Sequence, residues 1–172
     1  QKGVNIAPSS LKDLTISDNP EAKAAITTMI LNYAFKAQKV DLILAALKKD
    51  SVEITSYMMN DANDKTLQSL LLAFSQKGNI NQIKAMLNSV SPSSVQLDPN
   101  SVHRLDWAKI DKKTGKTALH VLMESSSVTL AQKIELLPRI KQCSTANLFD
   151  IPSRKTPPET PMFALIKSIR AL

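Results

Sequence analysis

A paired helical pattern that returns along the chain restricts its fold more than any other feature. Ile26, Met29, Ile30, Tyr33 and Ala34 follow one another at spacings of three and four, which puts them on one face of a helix. A second run, Val40 to Lys48, turns Leu42, Ile43, Ala46 and Leu47 inward. The pair then repeats: Leu67, Leu70, Leu71 and Phe74 are followed by Ile80, Ile83, Met86 and Leu87, and Thr117 to Met123 by Thr129 to Leu137. A last helix carries Phe163, Ile166 and Ile169 inward. Alternating β-branched runs bounded by turn residues are absent, so the predicted class is all-α. A helical hairpin cannot bury its apolar face alone, whereas stacked hairpins cover one another. The predicted architecture is therefore a helical-hairpin repeat solenoid of three to four irregular units.

Local signals mark the ends of these helices. Asp18-Asn19-Pro20-Glu21 supplies a cap, a proline at the first helical position and an acid in the positive first turn. Lys77-Gly78 is a basic last turn followed by a stop. Thr129 and Gln132 have the spacing of a capping box, and Pro138 is expected to stop or kink the helix that follows. Ser51 to Met59 predicts a third, shorter helix. Ser91-Pro92-Ser93-Ser94 is a break, Asp98-Pro99 opens a short extra helix toward Leu105 and Trp107, and Ser153 to Pro158 is a loop before Thr160-Pro161. Residues 1–19 read as a lead-in with one short turn at Leu11 to Leu14. Residues 20–172 read as the repeat domain, with an insertion at 91–109.

The length of 172 residues is that of one domain, and only 4% of residues are aromatic, so the core must be aliphatic. Cys143 is the single cysteine, which excludes an internal disulfide and a cysteine-based zinc site and points to a reduced, cytoplasmic setting. No apolar run approaches the roughly 20 residues of a membrane span. Gln1-Lys2-Gly3-Val4 is neither an initiator methionine nor a secretory signal, so a piece of a longer chain is expected. The net charge is +7. Residues 1–86 hold 10 Lys/Arg against 8 Asp/Glu, and residues 87–172 hold 12 against 7. This basic bias favours acidic partners on approach but is too dispersed to imply nucleic-acid binding alone.

One segment carries a family resemblance. Asp111-Lys112-Lys113-Thr114-Gly115-Lys116-Thr117-Ala118-Leu119-His120 resembles the start of an ankyrin repeat, with an acid, a glycine and then Thr-Pro-Leu-His. Gly115, Thr117, Leu119 and His120 match, and Ala118 replaces the proline. Leu71-Ala73, Gly78-Asn79 and Ile83-Met86-Leu87 are similar to the later skeleton of the repeat. Thr160-Pro161-Met162-Phe163-Ala164 matches another start without the histidine. Anchors at Leu31, Leu70, Leu119 and Met162 give steps of 39, 49 and 43 residues, longer than the family's ~33. HEAT-like or armadillo-like repeats of ~40 residues stay open beside it. Degenerate arrays of this kind are found in ankyrin-bearing effectors of intracellular bacteria, which would place the chain in a host cytoplasm. The last unit has no second helix or polar cap, so either a cut chain or an array that packs against something beyond Leu172 is expected.

The resemblance implies a protein-interaction scaffold without catalysis, cofactor or metal. Thr117 would cap a helix, and the His120 ring would bond neighbouring backbone. Lys109, Lys112, Lys113 and Lys116, with Arg104 nearby, form the densest basic cluster, on what the resemblance makes a projecting inter-repeat hairpin. Arg154 and Lys155 would lie at the same place one repeat later. Trp107 is a candidate interface anchor, or else buries the insertion. The expected partner is another protein with an acidic surface. Two other classes of function are alternatives. A helical enzyme fragment would need Cys143 and His120 or His103 as a thiolate–imidazole pair, which no spacing enforces. A basic nucleic-acid-binding domain would carry more aromatic residues and a recognition motif. His103, Asp106 and Asp111 show no metal-ligand spacing. Met58, Met59 and Met123 suit core gaps better than an adaptable binding surface.

Overall fold

The computed structural model describes residues 19–49, 54–89, 105–143, 147–154 and 156–171. Among them every regular element is helical, with no strand. In chain order they are α1 (Pro20–Lys36), α2 (Val40–Lys49), α3 (Asp64–Lys77), α4 (Ile80–Ser89), α5 (Ala118–Glu124), α6 (Leu130–Gln142) and α7 (Pro161–Arg170). Single 3-10 turns lie at Thr55–Met59, Asp61–Asn63 and Leu148–Asp150. The turn expected at Leu11 to Leu14, the first residues of the helix expected at Ser51 to Met59, and the insertion helix from Asp98 to Arg104 lie outside the described residues. None of the described helices is long and apolar enough to cross a membrane.

The chain divides into two compact units, Gln1–Thr66 and Leu67–Leu172. In the first, α1 and α2 form a hairpin. Asn19 caps α1, its Oδ1 accepting from the Glu21 amide at 2.9 Å, and the proline at the first position follows as expected. The inward stripe is Thr27, Ile30, Leu31, Ala34 and Phe35. The face predicted from Ile26, Met29 and Tyr33 is thus rotated by about one residue, and Met29 is 69% exposed. Phe35 decides the rotation: its ring stacks on Tyr57 at 4.2 Å between centroids. Only a structure brings that distant aromatic contact into the account. In α2, Leu42, Ile43, Ala46 and Leu47 are buried as expected. Ile54 and Met58 are also core, but Thr55–Met59 is a 3-10 turn rather than an α-helix.

The buried positions of α1 recur in α3 forty residues later, as Leu67, Leu70, Leu71, Phe74 and Ser75. The equivalent of Leu31 is therefore Leu71, one residue beyond the anchor chosen from sequence. The turns match as well. Lys39 N donates to Ala34 O at 2.8 Å, and Asn79 N to Phe74 O at 3.0 Å. Both turns need a left-handed residue, Gly78 at φ 72° and Gln38 at φ 53°. A side chain on Gly78 is doubly excluded, because its Cβ would lie 2.8 Å from Ser127 Cβ.

In the second unit α4 packs on α6, and α5 packs on α7. The capping box of Thr129 and Gln132 forms, and α5 opens with a second box between Thr117 and His120. Pro138 does not stop α6, which runs on to Gln142. The hydrogen bond lost to the ring would have reached the carbonyl of Ile134, on an exposed face where solvent can satisfy it. The largest departure is α7. Its buried residues are Pro161, Ala164 and Leu165, while Phe163, Ile166 and Ile169 point outward. The helix is apolar on two sides, and the side carrying Pro161, Ala164 and Leu165 is the buried one.

Replacing Leu119, fully buried in α5, with alanine is expected to cost ~2–5 kcal/mol by chemical denaturation; a loss below about 0.5 kcal/mol would contradict its core placement. Gln38→Gly should stabilise the first hairpin by up to about 1 kcal/mol, because it relieves a left-handed residue carrying a Cβ. A lowered melting temperature in that variant would show that the turn is not strained.

Candidate functional site

The segment before α5 is a tight projecting turn. Asp111 organises it: its Oδ2 accepts from the Thr114 amide at 2.7 Å and from the Thr114 hydroxyl at 2.8 Å. Gly115 N donates to Asp111 O at 2.8 Å, and Asp111 N to Lys116 O at 2.9 Å. The Thr114 hydroxyl, chiefly, holds the Asp111 carboxyl below its usual range. A second turn lies alongside. Arg154 N donates to Gly115 O at 2.8 Å, and Ser153 N to Glu159 O at 2.8 Å. Gly115 has φ 69°, and its Cβ would stand 3.2 Å from Arg154 Cβ, so the close approach of the two turns also needs glycine there.

His120 ties the same two segments together from beneath. It is fully buried. Nε2 lies 2.8 Å from the Glu159 carbonyl, which can only accept, so Nε2 carries the proton. Nδ1 then accepts from the Thr117 amide at 3.2 Å and from the Thr117 hydroxyl at 2.7 Å. Burial, ahead of every other influence, pushes the imidazole below its usual 6.5. Both nitrogens are thereby committed to backbone and cap.

A second buried polar link joins α5, α6 and α7. Lys133 is the fourth residue of α6, where α2 has Ile43 and α4 has Ile83. All three are buried. The Lys133 ammonium donates to Met123 O at 2.7 Å and contacts Ser168 Oγ at 3.4 Å, while the Ser168 hydroxyl reaches Met123 O at 3.0 Å. The carbonyl belongs to the last turn of α5, where partial negative charge accumulates and a cation is favoured. Burial lowers the Lys133 pKa.

Of the basic residues singled out from sequence, Lys112, Lys113 and Arg154 are exposed on the paired turns, and Lys109 is exposed just before them. Lys116 turns inward to pair with Glu124. Trp107 is corrected: it is 1% exposed and belongs to the core, so it is no interface anchor. Its segment is held onto α3 by Gln68, which bonds Asp106 O at 2.8 Å and Asp106 N at 3.0 Å. Arg104, Lys155 and His103 lie outside the described residues.

Of the exposed lysines, Lys113 lines a groove of about 480 Å³ together with Leu72, Gln76, Thr114, Glu124 and Ser127. The first unit has a groove of about 610 Å³ against α1, at Thr28, Asn32, Lys36, Tyr57 and Asn63. Asn32 and Lys36 stand forty residues before Leu72 and Gln76, so each unit presents the same face of its first helix. Sequence reasoning passed over these residues. The signal was the polar side of the repeated helices, which an apolar-periodicity reading ignores.

The thiol of Cys143 ends α6, is buried and is pushed up by that burial, the opposite of an activated thiolate. Among the described residues no group of three His, Cys, Asp or Glu is placed to hold a metal ion. Comparison with known proteins finds no family model, no curated protein and no solved structure that matches the chain.

The His120 geometry sets a pH dependence. A base whose folded pKa is depressed contributes stability that is complete above about 6.5 and declines as pH falls below it. The wild type should therefore lose stability between pH 7 and 5, and His120→Gln should flatten that slope while lowering stability at pH 7. An unchanged slope in His120→Gln would reject the buried neutral imidazole. Loss from Asp111 falls in a separate, more acid window below 3.8.

Proposed function

We propose that this chain is a non-catalytic, ankyrin-like helical-hairpin scaffold that binds another protein through a groove and a basic turn edge. One observation carries the reading: two projecting turns, joined by the bond from Arg154 N to Gly115 O, expose Lys112, Lys113 and Arg154, and Lys113 also lines the groove on α3 and α5. Consecutive turns bonded side by side, each leading into a threonine-capped helix at Thr117 and Thr160, are what the family resemblance implies. The forty-residue recurrence in α1 and α3 suits the same reading. A rim of solvated ammonium and guanidinium groups steers an acidic segment toward the groove. Gln76, Thr114 and the serines at the end of α5 then offer hydrogen bonds to an extended backbone. The chain's role is recognition, and chemistry would reside in what it is joined to or binds. A host-cytoplasmic effector remains the setting that the resemblance implies.

The test uses a fluorescent glutamate-rich peptide against a neutral peptide of equal length. Wild type should prefer the acidic one, and Lys112→Glu with Lys113→Glu should weaken that binding several-fold with little change in melting temperature. Unchanged affinity in the double variant would remove this edge from the account. Tighter binding to generic duplex DNA, with steep salt dependence, would favour a nucleic-acid partner instead.

A further inference from the structure

We propose that His120 is a proton-operated latch: charging its ring releases the segment from Leu148 through α7 from its seat on α5, while α3 and α4 stay folded. The latch is set by what the ring faces. In the neutral form Nδ1 accepts from the Thr117 amide at 3.2 Å and lies 2.7 Å from the Thr117 hydroxyl. A proton on Nδ1 sets two N–H groups against each other, and the hydroxyl already accepts from the His120 amide at 3.3 Å, so the capping box of α5 is lost. The new charge also finds no free counterion. Glu124 favours a proton on the ring and Lys116 opposes it, and burial outweighs both. Glu124 is in any case paired with Lys116, and the Glu159 carboxylate with Lys167. The only charged residues of α7 are cations, Lys167 and Arg170. In α6 the one acid, Glu135, pairs with Lys84 of α4, while Lys133 is held by Met123 O. On the connecting segment, Asp150 is bonded by Asn147 and Arg154 adds a further exposed cation.

Water reaches a charged ring only if what lies over it moves. Nε2 donates to the Glu159 carbonyl at 2.8 Å, and the backbone of Ile151 acts on the ring as well. Both residues belong to the connection between the 3-10 turn at Leu148–Asp150 and α7, and that turn packs on α7, so the three move together. Their anchorage is thin. Three of the ten residues of α7 are buried, against five of seven in α5. The polar ties are the bond from Arg154 N to Gly115 O at 2.8 Å and the bond from the Ser168 hydroxyl to Met123 O at 3.0 Å, with the Lys133 ammonium 3.4 Å from Ser168 Oγ. An element with few buried side chains opens before the body it rests on. The sign follows from linkage. In the open state the ring meets water and takes its proton near the ordinary 6.5, whereas the closed state takes one only at lower pH. Falling pH therefore draws the equilibrium toward the open state, by at most about tenfold per pH unit for one proton. Opening parts Arg154 from Gly115, which divides the paired turns, and uncovers the face of α5 on which α7 packs. The latch operates whatever the turn edge binds.

Amide hydrogen exchange of the full chain, read by mass spectrometry at about pH 7 and about pH 5.5 and corrected for the intrinsic rates, tests this. At the lower pH the amides of α7, with those of Ser153 and Arg154, should lose protection several-fold, and those of α3 and α4 should keep theirs. Emission from Trp107, buried and held onto α3 through Gln68, should stay that of a buried indole. In His120→Gln the protection of α7 should be the same at both pH values. The ring of His120 in the wild type, followed by NMR, should titrate together with the loss of α7 protection, a reading that holds even if the variant fails to fold. Equal protection of α7 at the two pH values would overturn the proposal. So would loss from α3 and α4 in step with α7, a pH step that survives in folded His120→Gln, or a ring that titrates apart from the α7 transition.

Discussion

Nε2 of His120 faces a carbonyl, and Nδ1 faces an N–H and a hydroxyl. A neutral imidazole with its proton on Nε2 satisfies all three, and among the described residues no other side chain offers a donor and an acceptor at opposite ends of a rigid ring. That one ring closes the cap of α5 and reaches 39 residues along the chain to the turn before α7. The turn at Asp111–Lys116 and the turn at Ser153–Glu159 are thereby fixed from below as well as by their own backbone bond. The exposed cations on those turns owe their common edge to a buried group.

Lys133 performs a related task with a charge where its counterparts in α2 and α4 have isoleucine. An ammonium there is costly to desolvate, and what offsets the cost is the carbonyl end of α5 with the Ser168 hydroxyl beside it. Polar groups are thus used in the second unit where the first unit relies on aliphatic packing and the Phe35–Tyr57 stack. Each such link joins elements consecutive in the chain's hairpin order: α5 to α6, α5 to the turn preceding α7, and α6 to α7.

Helices, caps and the turn into α5 were legible in the sequence because each rests on local chemistry: Asn19 with Pro20, Thr129 with Gln132, Gly115 between Asp111 and Thr117. The inward faces of α2 and α4 were legible for the same reason, since each has one apolar side. Faces failed where a helix had two. In α1 the contact of Phe35 with Tyr57 turns Met29 outward, and in α7 Pro161, Ala164 and Leu165 are buried while Phe163 and Ile166 are not. Hydropathy ranks such faces by size, whereas packing ranks them by closeness of approach. The choice between an exposed and a buried Trp107 was equally out of reach, because its segment is held by Gln68, 39 residues earlier. Of the candidate edge, the turn residues were found by motif and the groove residues were not, since polar side chains on a helix carry no periodic signal of their own.

The protonation of His120 tests most directly whether adjacent hairpins are joined as described. Nitrogen-15 spectra correlating ring nitrogens with ring carbons report the tautomer at neutral pH. The account requires a neutral ring with its proton on Nε2, exchanging slowly with solvent. A ring protonated on Nδ1, or a charged and rapidly exchanging one, would contradict it.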